Sequence, residues 1–80
     1  MASDTETKVR EIVAEQFGLA PAEIFPAMDF KADLEADSLD CMELLMEIED
    51  TFDISIADED AEQIKTVADV IAYVAEARER

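Results

Sequence analysis

Both prolines of the chain, Pro21 and Pro26, lie in one short stretch between segments that otherwise read as helix, and their placement limits the fold more than any other feature. Proline lacks the backbone N–H and clashes with the preceding turn, so Pro26 forbids a continuous helix across this region. Residues 19–36 therefore form a long connection, in which Pro21 opens a single helical turn. Ile24, Phe30 and Leu34 are spaced to dip from it into a core. Connections of this length are unusual in a small domain and are often functional.

Either side of the connection the apolar residues recur at helical spacing. Val9, Ile12, Val13 and Phe17 share one face of a first helix over about Asp4 to Phe17. Ser3 or Asp4 can cap its start, and Gly18, the only glycine, sits where a left-handed residue would end it. A second helix is predicted from Asp37 or Ser38 to about Thr51. Phe52 to Ala57 is β-branched, but no second strand exists to pair with it, so it reads as a connector. Asp58 can cap a short helix through Glu62, with Ile64 packing beneath. Thr66 caps a last helix, Asp69 takes the reciprocal capping position, and Val67, Val70, Ile71 and Val74 form the buried stripe. Arg78 and Arg80 suit the negative end of that helix's dipole. The expected fold is all-α: a small four-helix bundle, three longer helices and one short, with a long first loop, in a single domain over residues 1–80.

A domain of this size buries only about 60% of its unfolded surface, which leaves little room for an enclosed active site. Its 22 acids against 6 bases give a net charge of −16. Such a chain repels nucleic acid and anionic membrane and favours basic protein surfaces and divalent cations. The polar stretch Met1 to Arg10 lacks the apolar core of a secretion signal, and no apolar run approaches the ~20 residues of a membrane span. Cys41 is alone, which excludes an intramolecular disulfide. A cytoplasmic monomer without membrane insertion is expected.

With each residue advancing about 100°, Cys41, Leu44, Leu45, Ile48 and Phe52 cluster on one side of the second helix. Leu39, Met42 and Met46 fall on the opposite side with Glu43 and Asp50, and Glu49 flanks them. Either the helix is central and buried on both sides, or the second strip is a partner-binding surface, for which flexible methionine side chains are suited. From Ala32 to Ile64 the chain carries thirteen acids and neither Lys nor Arg. That run is a solvated face or, because it coincides with the apolar strip, a docking surface for basic proteins.

Asp37-Ser38-Leu39-Asp40 opens this helix. Asp-Ser before an apolar run is an ordinary cap. A phosphoryl group on Ser38 would lie near free N–H groups and the positive end of the dipole, although neighbouring carboxylates oppose it. The run Asp33-Leu34-Glu35-Ala36-Asp37-Ser38-Leu39-Asp40, followed by Glu43-Leu44, closely resembles the attachment motif of acyl carrier proteins. The similarity continues through Ile48-Glu49, Phe52, Ile56, the Asp58-Glu59-Asp60-Ala61-Glu62 run and Ile64 to Thr66-Val67. Two positions depart from the pattern: Glu35 stands where the family usually has Gly, and Ala57 where it commonly has Pro.

The resemblance implies that Ser38 carries a covalent 4′-phosphopantetheine, moved from coenzyme A by a phosphopantetheinyl transferase (a holo-acyl-carrier-protein synthase) with Mg²⁺. It further implies acyl groups carried as thioesters and presented to fatty-acid synthase enzymes with basic docking patches and to acyltransferases. Asp37, Leu39, Asp40, Met42, Glu43, Met46, Glu49, Asp50 and Ile56 are the expected partner-binding residues. The chain has no His, and nothing near Ser38 activates it as a nucleophile, so it reads as another enzyme's substrate and not as an enzyme. Asp58-Glu59-Asp60 can attract Ca²⁺ or Mg²⁺ loosely, but the turn glycine of an EF-hand is missing and no specific metal site is expected. The alternatives are a polyketide or other specialised carrier, and an unmodified acidic adaptor.

Overall fold

The computed structural model describes residues 4–78. Four α-helices follow one another: α1 Asp4–Phe17, α2 Ser38–Phe52, α3 Asp58–Ala61 and α4 Val67–Arg78, with a 3-10 turn at Pro21–Glu23. Ser3 and Arg80, expected as a cap and a dipole partner, lie outside the described residues.

Each helix end has a local chemical cause. α1 stops at Gly18, whose φ of 69° turns the chain left-handed. The Leu19 N–H then donates to the Ala14 carbonyl at 2.8 Å and Gly18 to Glu15 at 3.4 Å, the paired bonds of a Schellman motif. Pro21 occupies the first turn of the 3-10 segment, where a missing N–H costs nothing. α2 is capped by Asp37, with Ser38 as its first helical residue. It ends at Asp53, which takes φ 54° while its N–H bonds to the Glu49 carbonyl. α4 begins with the expected reciprocal pair: the Thr66 hydroxyl accepts from Asp69 N–H at 3.2 Å, and the Asp69 carboxylate accepts from Thr66 N–H at 3.1 Å.

The short helix departs from expectation. Asp58 does not cap it; Ala57 is the N-cap, with φ −66° and ψ 148°, and contributes no side-chain bond. The chain enters the helix one position early, which puts Asp58, Glu59 and Asp60 all in the first turn. Carboxylates are stabilised there by the exposed N–H groups and the dipole, so a side-chain cap is dispensable. Glu62 lies just past the end as the C-cap, its N–H on the Asp58 carbonyl.

α1 packs against both α2 and α4. The core between them is Val9, Ile12, Val13 and Ala14 of α1, Leu44 and Ile48 of α2, and Val67, Val70 and Val74 of α4. Ile24, Phe30 and Ala36 from the long connection are buried among them, while Leu34 and Ile64 pack half-buried at the margin. The connection is not slack. Phe30 N–H donates to the Lys65 carbonyl at 3.0 Å, Val67 N–H to Met28 at 3.0 Å and Ala68 N–H to Pro26 at 2.8 Å. An isolated antiparallel bridge between Asp29 and Thr66 thus ties the loop before α2 to the start of α4. The segment after α2 pairs with no strand among the described residues, as expected of a connector.

Candidate functional site: the start of α2 and the groove beside it

The Asp37 and Asp40 side chains build the first turn of α2. Asp37 Oδ1 accepts from Asp40 N–H at 2.8 Å, and Asp40 Oδ2 accepts from Asp37 N–H at 3.1 Å. The Cys41 N–H bonds to the Asp37 carbonyl at 3.1 Å. Of the helix's first donors, those of Ser38 and Leu39 are left without a partner among the described residues. Ser38 is exposed, and its hydroxyl hydrogen-bonds to no described residue. No described residue accepts a hydrogen bond from it, so no base among them is placed to activate it as a nucleophile.

The approach to this turn is strained at one residue. Glu35 has φ 55°, a region that glycine enters freely and that costs an L-residue about 1–2 kcal/mol. It precedes buried Ala36, whose N–H donates to the Phe30 carbonyl at 2.8 Å. The loop geometry that a glycine would provide is therefore retained without one, held by the burial of its neighbours.

The two faces of α2 separate cleanly. Leu44 and Ile48 are fully buried, and Cys41, Leu45 and Phe52 pack half-buried against the core. Leu39, Met42 and Met46 stand 61%, 61% and 60% exposed. A helix buried on both sides is thereby excluded. Around the exposed strip, Glu43 accepts a hydrogen bond from Gln16 Nε2 at 3.2 Å, and Asp50 points to solvent. Glu49 is half-buried and accepts from Ile56 N–H at 2.9 Å, which brings half-buried Ile56 to the flank of α2. Of the residues expected at a partner surface, Leu39, Met42, Glu43, Met46 and Asp50 are exposed on α2, the Asp37 and Asp40 side chains are held in its capping box, and Ile56 is joined to the helix through Glu49.

Sequence spacing did not reveal the groove beside Ser38. It encloses about 750 Å³ between α2, α3 and the paired loops around residues 30 and 65. Phe30, Cys41, Met42, Leu45, Ala61 and Ile64 form the apolar part of its lining, which Ser38 shares with Asp29, Lys31, Asp58, Glu62 and Lys65. The α3 wall is anchored by Tyr73, whose hydroxyl donates to Asp60 Oδ2 at 2.9 Å. Burial pushes the Cys41 thiol above its ordinary pKa; the Lys31 ammonium opposes this, while Asp40, Asp37 and Asp29 add to it. At neutral pH it is an uncharged part of the apolar wall. Among the described residues no three His, Cys, Asp or Glu side chains converge to hold a metal ion. No helix among them is long and apolar enough to cross a membrane.

Residues 7–74 match the family model described as a phosphopantetheine attachment site. The solved acyl carrier protein from Enterococcus faecalis is similar in structure, with a TM-score of 0.78 and 35% identity over 92% of this chain and 94% of that one.

Proposed function

This chain belongs to the phosphopantetheine attachment-site family as an acyl carrier protein, a carrier domain and not a catalyst, and on that premise we propose that Ser38 is its attachment residue. The observation that carries the proposal is an exposed hydroxyl at the start of α2 that no described residue hydrogen-bonds and that lines the groove. The residues fit the group. The Asp37–Asp40 box fixes the turn that presents the hydroxyl, and the N–H groups of Ser38 and Leu39, which have no partner among the described residues, would be available to an attached phosphodiester. When bound, 4′-phosphopantetheine supplies the terminal thiol on which acyl groups ride as thioesters. Everything this chain contributes is presentation, docking and shelter.

The cargo is an aliphatic acyl group of fatty-acid synthesis. The groove supports this through Phe30, Cys41, Met42, Leu45, Ala61 and Ile64, which offer apolar contact to a hydrocarbon beside the charged side chains that share its lining. The partners are a phosphopantetheinyl transferase, acyltransferases and synthase enzymes with basic patches. They read the strip Leu39, Met42 and Met46 together with Asp37, Asp40, Glu43, Glu49 and Asp50, with Ile56 at its edge. Apolar contact supplies the adhesion, and the carboxylates steer and orient the encounter.

Incubation of the unmodified protein with coenzyme A, Mg²⁺ and a phosphopantetheinyl transferase tests the assignment by intact mass. The expected result is a single added arm on the parent and none on Ser38→Ala, which folds normally because an exposed first-turn serine makes no side-chain bond. Modification of Ser38→Ala would place the arm elsewhere. No added mass on the parent would favour an unmodified acidic adaptor.

A further inference from the structure

Lys8, Arg10, Lys31, Lys65 and Arg78 are the cations among the described residues, and Lys31 and Lys65 line the groove at Ser38. The other three are placed elsewhere. Arg10 donates to the Pro21 carbonyl at 3.3 Å, Arg78 lies over the Phe52 ring at 5.5 Å and donates to Thr5, and Lys8 shares a separate cleft with Arg78. In a chain of 22 acids and 6 bases every ammonium has carboxylates to choose from. Yet neither Lys31 nor Lys65 forms a side-chain hydrogen bond, or an ion pair within 4.0 Å, with any described residue.

The fold, not chance proximity, brings the two together. Phe30 N–H donates to the Lys65 carbonyl, so the residue before Lys31 is tied to Lys65 itself. Three carboxylates also line the groove: Asp29, Asp58 and Glu62. Asp29 Oδ1 is occupied by the N–H groups of Lys31 and Ala32 at 2.8 and 2.9 Å. Both lysine charges act on the Asp29 carboxylate, and the Lys31 charge also reaches the Cys41 thiol, one turn along α2 from Ser38.

An arm on Ser38 brings one further negative charge, a phosphodiester, held within a bond of the serine oxygen. Asp37 and Asp40 flank that oxygen, and Asp33 and Glu35 precede it. Two free N–H groups offset part of the repulsion, and the remainder calls for cations that can swing to the site, as flexible lysine stems do. We propose that Lys31 and Lys65 are the counter-cations of the phosphodiester at Ser38 and hold the root of the arm against the mouth of the groove. The assignment rests on Ser38 as the attachment residue.

A thermodynamic cycle tests it with the arm carrying no cargo, so that the phosphodiester is the only anion added. Thermal melts compare unmodified and modified forms of the parent, Lys31→Gln, Lys65→Gln, Lys31→Arg and the remote control Lys8→Gln, each checked by intact mass. At ~0.1 M salt, where charges act over about 10 Å, attaching the arm should lower the midpoint of Lys31→Gln and Lys65→Gln by roughly 2–5 °C more than that of the parent. Lys31→Arg and Lys8→Gln should respond as the parent does, and the excess should fade at ~1 M salt, where screening acts within about 3 Å. An equal response of all five proteins at low salt would refute the counter-cation role, as would an excess that persists in high salt. If intact mass shows no arm on Ser38 of the parent, it is the attachment reading that fails, and this inference fails with it.

Discussion

Glu35 holds φ at 55° in the loop that delivers Ser38, so Glu35→Gly is expected to stabilise the protein even though it deletes a side chain. The left-handed conformation costs an L-residue about 1–2 kcal/mol, and glycine escapes that cost. Glycine also has more freedom to lose on folding, which returns about 0.5–1 kcal/mol. The difference is a net gain of about 0–1.5 kcal/mol, and its centre, ~0.75 kcal/mol, corresponds to roughly 3–6 °C in the midpoint for a domain of this size. Charge is the competing explanation, because the substitution also removes an exposed carboxylate from an acidic loop. Glu35→Ala separates the two: it removes the same charge but keeps the Cβ that makes positive φ unfavourable. Glu35→Asn should fall between, since asparagine visits this region more readily than most L-residues. Thermal or urea melts of the three variants at ~0.1 M and ~1 M salt supply the comparison, with long-range charge effects suppressed at the higher value. The expected order of stability is Gly above Asn above Ala, preserved at high salt. Equal stabilisation by Gly and Ala would assign the effect to charge and refute the backbone argument. Destabilisation by Gly would mean that the Ala36–Phe30 contact does not hold Glu35 in the conformation described.

The two faces of α2 should respond differently to truncation: Leu44→Ala, at a site 1% exposed, should cost roughly 2–5 kcal/mol, whereas Met46→Ala, 60% exposed, should change stability by no more than about 0.5 kcal/mol while slowing transfer by partner enzymes. Comparable melts for the two would defeat the separation of faces. The Asp69 carboxyl sits below its ordinary pKa of 3.8, chiefly through the Lys65 N–H and also through Thr66. A depressed pKa contributes stability above the unfolded value and loses it as pH falls through the folded one, so the advantage of the parent over Asp69→Ala should be constant near neutrality and shrink below pH 3.8. A difference unchanged at lower pH would show that the carboxylate charge is not what the cap uses. Because the net charge is −16, the melting midpoint should rise with salt or millimolar Mg²⁺, and a flat or falling midpoint would remove self-repulsion as a main destabilising factor.

Some of this architecture is written locally. Gly18 ends α1 because only a residue without a Cβ takes positive φ freely, and Thr66 with Asp69 starts α4 because both carry oxygens within reach of the first N–H groups. The opposed faces of α2 follow from the 3.6-residue period, and the order of helices from where apolar periodicity starts and stops. Local chemistry is weaker where alternatives are close in energy. Asp58 has the side chain of a cap, yet Ala57 takes the position, because with Asp58, Glu59 and Asp60 all in the first turn no side-chain bond is required.

The sequence by itself determined the order of the helices, the stop of α1 at Gly18, the serine at the start of α2 and the strip that could face a partner, since each depends on residues within a turn or two of one another. Whether that strip was exposed depended on what packs against α2, and only the tertiary structure decided it: α1 covers the Leu44 and Ile48 side and leaves Leu39, Met42 and Met46 open. The groove and the two lysines at its rim were equally invisible along the chain. They exist because the loop around Phe30 hydrogen-bonds to Lys65 and Val67, and Tyr73 holds Asp60 across from α2. Those contacts join residues far apart in sequence, and helical periodicity carries no information about such pairings.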